Sequence, residues 1–251
     1  MLPCHARRQK ARAVISVVSD LAVGKRQESR DQIEAKIVEL GRRHLVDHGA
    51  AGLSLRAIAR DLGMVSSAVY RYVASRDELL TLLLVDAYTD LADKVDRARD
   101  DTTGDSWSDD VNAMAHAMRA WAVAHPARWA LLYGSPVPGY HAPAQRTVPA
   151  GTRVIAALLD AVAAGITTGD IVLTNDHVAQ PTSSDFERLR SEYSFPGDDR
   201  VMGKCFLLFA GLVGAISLEV FGQYGADTLT DARAVFDTQV HLLLDMFGGR
   251  N

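Results

Sequence analysis

Between Ser54 and Val73 the chain carries two helical patterns that are too short to stand alone. Residues 55–61 put Ile58, Ala59 and Leu62 on one side, residues 66–72 follow, and Gly63 separates the two. Isolated helices shorter than about 12 residues are marginal in water, so both must be held by neighbours. Ser54 stands where a helix cap is needed, and Gly63 where a helix must stop. Two helices of these lengths about a glycine turn make a helix-turn-helix. The flanks supply the neighbours. Ser29 with Gln32 reads as a capping box, opening a helix through Ile33, Ile37, Leu40, His44 and Leu45 that stops near His48 at Gly49. Ser75 with Glu78 is a second box, opening a long helix through Leu79, Leu80, Leu83, Leu84, Ala87 and Leu91. Three short helices therefore feed a long fourth.

Beyond it, residues 100–110 read as an acidic linker. Helices are expected at about 108–124 and 127–133, then a turn-rich loop over 134–139. A helix from Pro149 to about Ala164, a loop over 174–185 and two long apolar helices at 200–222 and 230–247 complete the chain. No alternation of strand and helix occurs. The expected fold is all-α, with an N-terminal three-helix unit joined by the long fourth helix to a larger helical domain. Residues 1–28 form a flexible basic arm or an over-long start, 29–76 the helix-turn-helix domain, and 77–251 the larger domain.

The two cysteines, Cys4 and Cys205, build neither a disulfide framework nor a zinc site, which points to a reduced, cytoplasmic compartment. The longest uncharged apolar stretch, 205–218, is too short to span a bilayer and reads as a buried core or interface helix, so no membrane partner is expected. Arg7 and Arg8 ahead of residues 14–18 imitate a signal peptide, but Asp20 cuts the apolar run short.

Charge divides the chain. Residues 1–76 hold 14 Lys+Arg against 7 Asp+Glu, whereas residues 77–251 hold 13 against 24. A basic first third on an acidic body is the footprint of a chain that meets nucleic acid at one end. Residues 29–76 alone keep 8 basic against 5 acidic residues, so the asymmetry does not rest on the arm alone.

Enzyme chemistry finds little purchase. The run Asp100-Asp101-Thr102-Thr103-Gly104-Asp105 imitates a magnesium-binding aspartate motif, but Gly104 stands where the third carboxylate belongs. His44 and His48 lie one helical turn apart without a third ligand at metal spacing, and His116, His125 and His241 are equally isolated. There is no glycine-rich phosphate loop after a strand. No catalytic residue, metal or cofactor is expected.

The stretch Leu53-Ser54-Leu55-Arg56-Ala57-Ile58-Ala59-Arg60-Asp61-Leu62-Gly63-Met64-Val65-Ser66-Ser67-Ala68-Val69-Tyr70-Arg71-Tyr72-Val73, followed by Ser75-Arg76-Asp77-Glu78-Leu79-Leu80, resembles the TetR family of transcriptional regulators. The likeness covers about residues 29–84. Residues 125–134 with Pro136 and Gly139-Tyr140, and the helix from Gly211 to Gly222, resemble one C-terminal subclass of that family. The resemblance implies an all-helical homodimer that lays its third helix in a major groove of double-stranded DNA. It also implies that the last two helices dimerise and that the C-terminal domain holds an inducer pocket. Gly203, Ala210, Gly211 and Gly214 would let helix backbones approach closely there.

By resemblance, Ser54, Arg56, Ser66, Ser67, Ala68, Tyr70, Tyr72 and Arg76 fall on the family's DNA-contact positions. Elementary chemistry agrees with the roles. Ser66, Ser67 and Ala68 are small enough for close approach to base edges. Tyr70 and Tyr72 can reach phosphates with their hydroxyls, though core packing is the competing role for Tyr70. Arg56 can meet a phosphate or a guanine, and Arg76 a phosphate at the start of the fourth helix. The family often carries His-Phe where this chain has Tyr72-Val73, and Lys where it has Arg76. These departures bear on sequence preference more than on phosphate contact.

Met114, Met118, Trp121, Trp129, Tyr133, Phe206 and Phe209 are candidates to line an apolar ligand pocket, with ordinary core packing as the competing role. The leading reading is a sequence-specific, dimeric repressor on a palindromic operator, released by a small apolar inducer. The alternatives are a helical ligand carrier or enzyme with a vestigial helix-turn-helix, and a DNA-organising protein that senses no ligand.

Overall fold

A computed structural model describes residues 27–104, 106–174 and 177–248, and these are helical with no strand among them. The arm expected over residues 1–28 lies outside the described residues except for its last two, which are already helical. The first helix, α1, covers residues 27–48. Ser29 therefore sits inside a helix rather than at its cap. That turn carries i,i+4 pairs instead: Gln27 donates to Asp31 at 2.8 Å and Arg30 to Glu34 at 2.8 Å.

The chain divides into two compact units at Leu83 and Leu84. The first contains α1, a 3-10 turn at Ala50–Gly52, α2 (Leu55–Asp61), α3 (Ser66–Val69) and the first two turns of α4 (Arg76–Asp100). Its boundary lies seven residues beyond Arg76 because Leu79, Leu80 and Leu83 are buried with Ile37, Leu45, Ile58, Val69 and Val73. A methyl group on Gly41 would meet Leu83 at 3.1 Å, so α1 and α4 touch closely there. His44 is buried, and its Nε2 lies 2.6 Å from Asp61 Oδ2, tying α1 to the end of α2. That hydrogen bond holds the Asp61 carboxyl below the ordinary carboxylate range. Among the described residues no three metal-ligating side chains gather, around His44 and His48 or elsewhere.

The second unit contains the rest of α4 with α5 (Trp107–Ala124), α6 (Pro126–Tyr133), α7 (Ala144–Gly151), α8 (Arg153–Thr168), α9 (Thr182–Tyr193), α10 (Asp199–Val220) and α11 (Ala232–Asp245). α5 packs on α8, and α10 runs through the centre against α5, α8, α9 and α11. Two expectations fail here. The helix expected to start at Pro149 is two helices, with Pro149 inside α7 and a break at Thr152, whose hydroxyl donates back to the Val148 carbonyl at 2.9 Å. The loop expected over 174–185 gives way to α9 at Thr182. α9 is strongly polar, and its apolar signal is confined to Phe186, Leu189 and Tyr193 on one side.

α10 has 22 residues, and it and the span Ala144–Thr168 are long and apolar enough to cross a membrane. Both give a face to the core instead: Leu158, Leu159 and Val162 are buried on α8, and Leu208, Leu212 and Ile216 on α10.

Ion pairs join the helices of this unit. Arg128, itself buried, donates to Asp90 at 2.6 Å and Asp86 at 3.0 Å on α4, and its guanidinium lies 5.0 Å from the Trp121 ring. Arg119 grips Glu219 with two nitrogens at 2.5 and 2.7 Å. Arg153 reaches Asp93 at 2.8 Å and Asp96 at 2.5 Å.

Candidate nucleic-acid interface

The path from α2 to α3 is set by two devices three to five residues long. Ser54 is extended (φ −139°), and its hydroxyl accepts from the Ala57 amide at 3.4 Å, capping α2. At the far end Gly63 is left-handed (φ 66°). Its amide bonds to the Arg60 carbonyl at 3.0 Å, and the Met64 amide reaches the Ala59 carbonyl at 2.9 Å. This pair of bonds is a Schellman turn, which closes the helix and redirects the chain.

α3 then starts at Ser66 and ends earlier than its sequence pattern suggests. The Arg71 and Tyr72 amides bond to Ala68 at 3.3 Å and Val69 at 2.9 Å, so the last turn tightens to i→i+3 spacing. Val69 and Val73 are buried and fasten this segment to the unit. Opposite them Ser66, Ser67, Tyr70 and Arg71 are exposed, with Ala68 half-buried between. Tyr70 is 43% exposed and so is not a core residue. Arg56 is exposed on α2. Small hydroxyls and a tyrosine are thus exposed on α3, and an arginine is exposed on α2.

Tyr72 and Arg76 stand differently. Tyr72 is half-buried, with the Arg30 guanidinium 5.9 Å from its ring centre, and Arg30 also donates to the Arg71 carbonyl at 3.4 Å. Arg76 donates to the Ala50 and Ala51 carbonyls at 2.9 and 3.2 Å. Its guanidinium stitches the 3-10 turn to the start of α4, where Ser75 caps the helix by accepting from the Glu78 amide at 3.0 Å. Arg30 is the residue that sequence reasoning overlooked in this frame, because its contacts lie 41 residues away. Val65 was overlooked too. It immediately precedes α3 and is 72% exposed, next in the chain to the exposed Ser66 and Ser67.

The C-terminal candidates separate into two groups. Met114, Met118, Trp121 and Trp129 are sealed in the core, where Trp121 donates to Asp90 at 2.9 Å and Trp129 to the Ser217 hydroxyl at 3.1 Å. Tyr133 packs beside them, 4.4 Å from the Trp129 ring, and burial pushes its phenol well above the ordinary value. Phe206 and Phe209 instead line a separate apolar cavity among α8, α9 and α10.

Comparison with known proteins agrees with both halves. Residues 37–83 match the model of the tetR family of bacterial regulatory proteins, and residues 111–243 that of a tetracyclin repressor-like C-terminal domain. The chain belongs to the TetR family. It is 76% identical over 222 residues to the HTH-type transcriptional regulators Rv1816 of Mycobacterium tuberculosis and Mb1846 of Mycobacterium bovis, spanning 88% of this chain and 95% of each relative. Its fold is similar to the crystal structure of the regulatory protein SCO4313, with a TM-score of 0.71 and 31% identity over 87% of this chain and 98% of that one. The TetR family regulator PfmR from Thermus thermophilus shares the fold at 14% identity, with a TM-score of 0.53 over 86% of this chain and 99% of that one. The chain is therefore a DNA-binding transcriptional regulator of this family rather than an enzyme, and its helix-turn-helix is the family's DNA-binding element.

Proposed function

We propose that this regulator is a cytoplasmic repressor. Two copies place their α3 helices in successive major grooves of a palindromic operator, and a small apolar ligand in the C-terminal unit releases them. The observation that carries the DNA half is the exposure of Arg56, Ser66, Ser67 and Tyr70, with Ala68 half-buried beside them and Val69 buried beneath. A vestigial helix-turn-helix has no reason to keep small hydroxyls and a free tyrosine on one solvent face. Ser66, Ser67 and Ala68 meet base edges, while Tyr70 and Arg56 reach phosphates or a guanine. Val65 packs on a thymine methyl. Ser54, Tyr72 and Arg76 hold the frame, and remaining donors of Arg76 can still meet a phosphate.

Binding isotherms on the protein's own promoter region over a range of salt test this. Arg56→Ala should weaken binding by about 10-fold and flatten the salt slope by roughly one unit. Ser67→Trp should abolish binding while the circular dichroism stays native. If the wild type prefers no duplex to random DNA, the operator reading fails and a DNA-organising role replaces it.

The dimer half rests on α10. Leu207, Ala210, Gly214, Leu218 and Phe221 follow one another at helical spacing and are all exposed, with Leu242 exposed on α11. Nothing lies within 4 Å of a methyl group placed on Gly214. Gly211 serves another purpose, since a methyl group there would meet Leu243 of the same chain at 2.8 Å. A stable interface on this stripe should bury more than about 1,000 Å². Leu207→Glu should give monomers by sedimentation, and an unchanged dimer would move the interface elsewhere.

A further inference from the structure

The cavity beside the core has a volume of about 310 Å³. Ile155 and Leu159 of α8, Leu189 and Tyr193 of α9, and Cys205 and Phe209 of α10 form most of its wall, and among the described residues no charged one lines it. The polar side-chain groups on its lining are the hydroxyls of Thr152 and Tyr193 and the Cys205 thiol. Thr152 already donates its proton to the Val148 carbonyl, and burial pushes the thiol up to about 12, so neither of these two carries charge at neutral pH. An ionised guest would find no charged partner here and would lose its hydration without compensation. An apolar cavity of about 150 Å³ is enough for benzene, so this one has room for fused rings or a short branched chain.

α9 covers this space, and none of its residues is buried. It packs chiefly on α10, where Phe186 stacks on Phe206 at 5.6 Å between ring centres. A single buried carboxylate holds both of its ends. Asp199 at the start of α10 accepts from Ser183 at 2.7 Å near one end of α9 and from Arg190 near the other. It also accepts from the Val178 amide at 3.2 Å, in the segment leading to α9.

We infer that this cavity binds an uncharged, ring-sized apolar molecule, and that α9, latched by Asp199, is the element that moves to admit it. This rests on the proposal that the C-terminal unit takes a small ligand. It puts that ligand under α9 rather than among the sealed Met114, Met118, Trp121 and Trp129. A guest thicker than the space would press first on Leu189 and Tyr193, because α9 is the least buried wall.

The full chain can be titrated with the neutral fluorophore N-phenyl-1-naphthylamine and with its sulfonated counterpart, 1-anilinonaphthalene-8-sulfonate. Duplex affinity is measured on the same preparations. The neutral probe should saturate at one per chain and bind at least 10-fold more tightly than the sulfonate. Ile155→Trp and Leu159→Phe, which fill the cavity from α8, should each weaken it at least 10-fold, and Met118→Leu should not. Asp199→Asn should speed probe entry at least 3-fold and quicken hydrogen exchange in residues 182–193. Equal affinity for the two probes, or unchanged affinity in both filling variants, overturns the site. Unchanged entry and exchange in a natively helical Asp199→Asn overturns the latch. Absence of probe binding with duplex preference intact overturns the cavity alone, whereas loss of duplex preference with probe binding intact overturns the operator reading alone.

Discussion

In the N-terminal unit the turn that aims the DNA-binding surface is closed by partners close in sequence. Ser54 caps the amide of Ala57, Gly63 and Met64 bond back to Arg60 and Ala59, and Ser75 caps the amide of Glu78. In the C-terminal unit the polar contacts that fix helix to helix are distant. Arg128 meets Asp90 across 38 residues and Arg119 meets Glu219 across 100. The first design needs only the right residue at a fixed offset. The second needs a finished fold before either partner finds the other. A helix-turn-helix built on local offsets can therefore vary its exposed residues without disturbing the turn, whereas the C-terminal unit ties its packing to paired substitutions.

Removing one end of a distant pair should be the costlier injury. Arg128→Ala removes a buried guanidinium from two partly solvated carboxylates, Asp86 and Asp90, and it should lower stability by about 2–3 kcal/mol in denaturant melts. A loss under about 1 kcal/mol would mean that the pair is a solvated surface contact. The local design should break more gently. Gly63→Ala meets nothing within 4 Å, so its cost is the left-handed backbone alone, about 1–2 kcal/mol. It should also weaken duplex binding, because α3 is re-aimed; stability loss with unchanged DNA affinity would separate the turn from the site.

A third effect depends on pH and concerns Cys205. Burial raises its thiol from 9.0 to about 12. The unfolded chain therefore loses this proton first as the pH rises, and stability falls between about pH 9 and 12. Wild type should lose ground to Cys205→Ala over that window in melts at matched salt, and parallel pH profiles would show the thiol to be solvated.

Tertiary structure altered the reading where local pattern misleads. α9 carries Phe186, Leu189 and Tyr193 on an otherwise polar helix, too sparse a signal to separate from a loop. Arg76 reads as a phosphate ligand by position, yet its guanidinium is held by carbonyls 25 and 26 residues earlier. Phe206 and Trp129 look alike as aromatic candidates, but one is 52% exposed beside a cavity and the other fully buried.

By itself the sequence determined that the chain is helical, where the turn between α2 and α3 falls, and which small polar residues stand at the start of α3. Those features follow from caps, glycine and helical spacing, all of which act over a few residues. Only the tertiary structure decided which apolar residues line a space and which fill the core, which arginines are bound by carboxylates, and that α9 closes over α10. Those outcomes depend on groups tens of residues apart meeting at once, and that is a property of the packed chain rather than of any stretch of it.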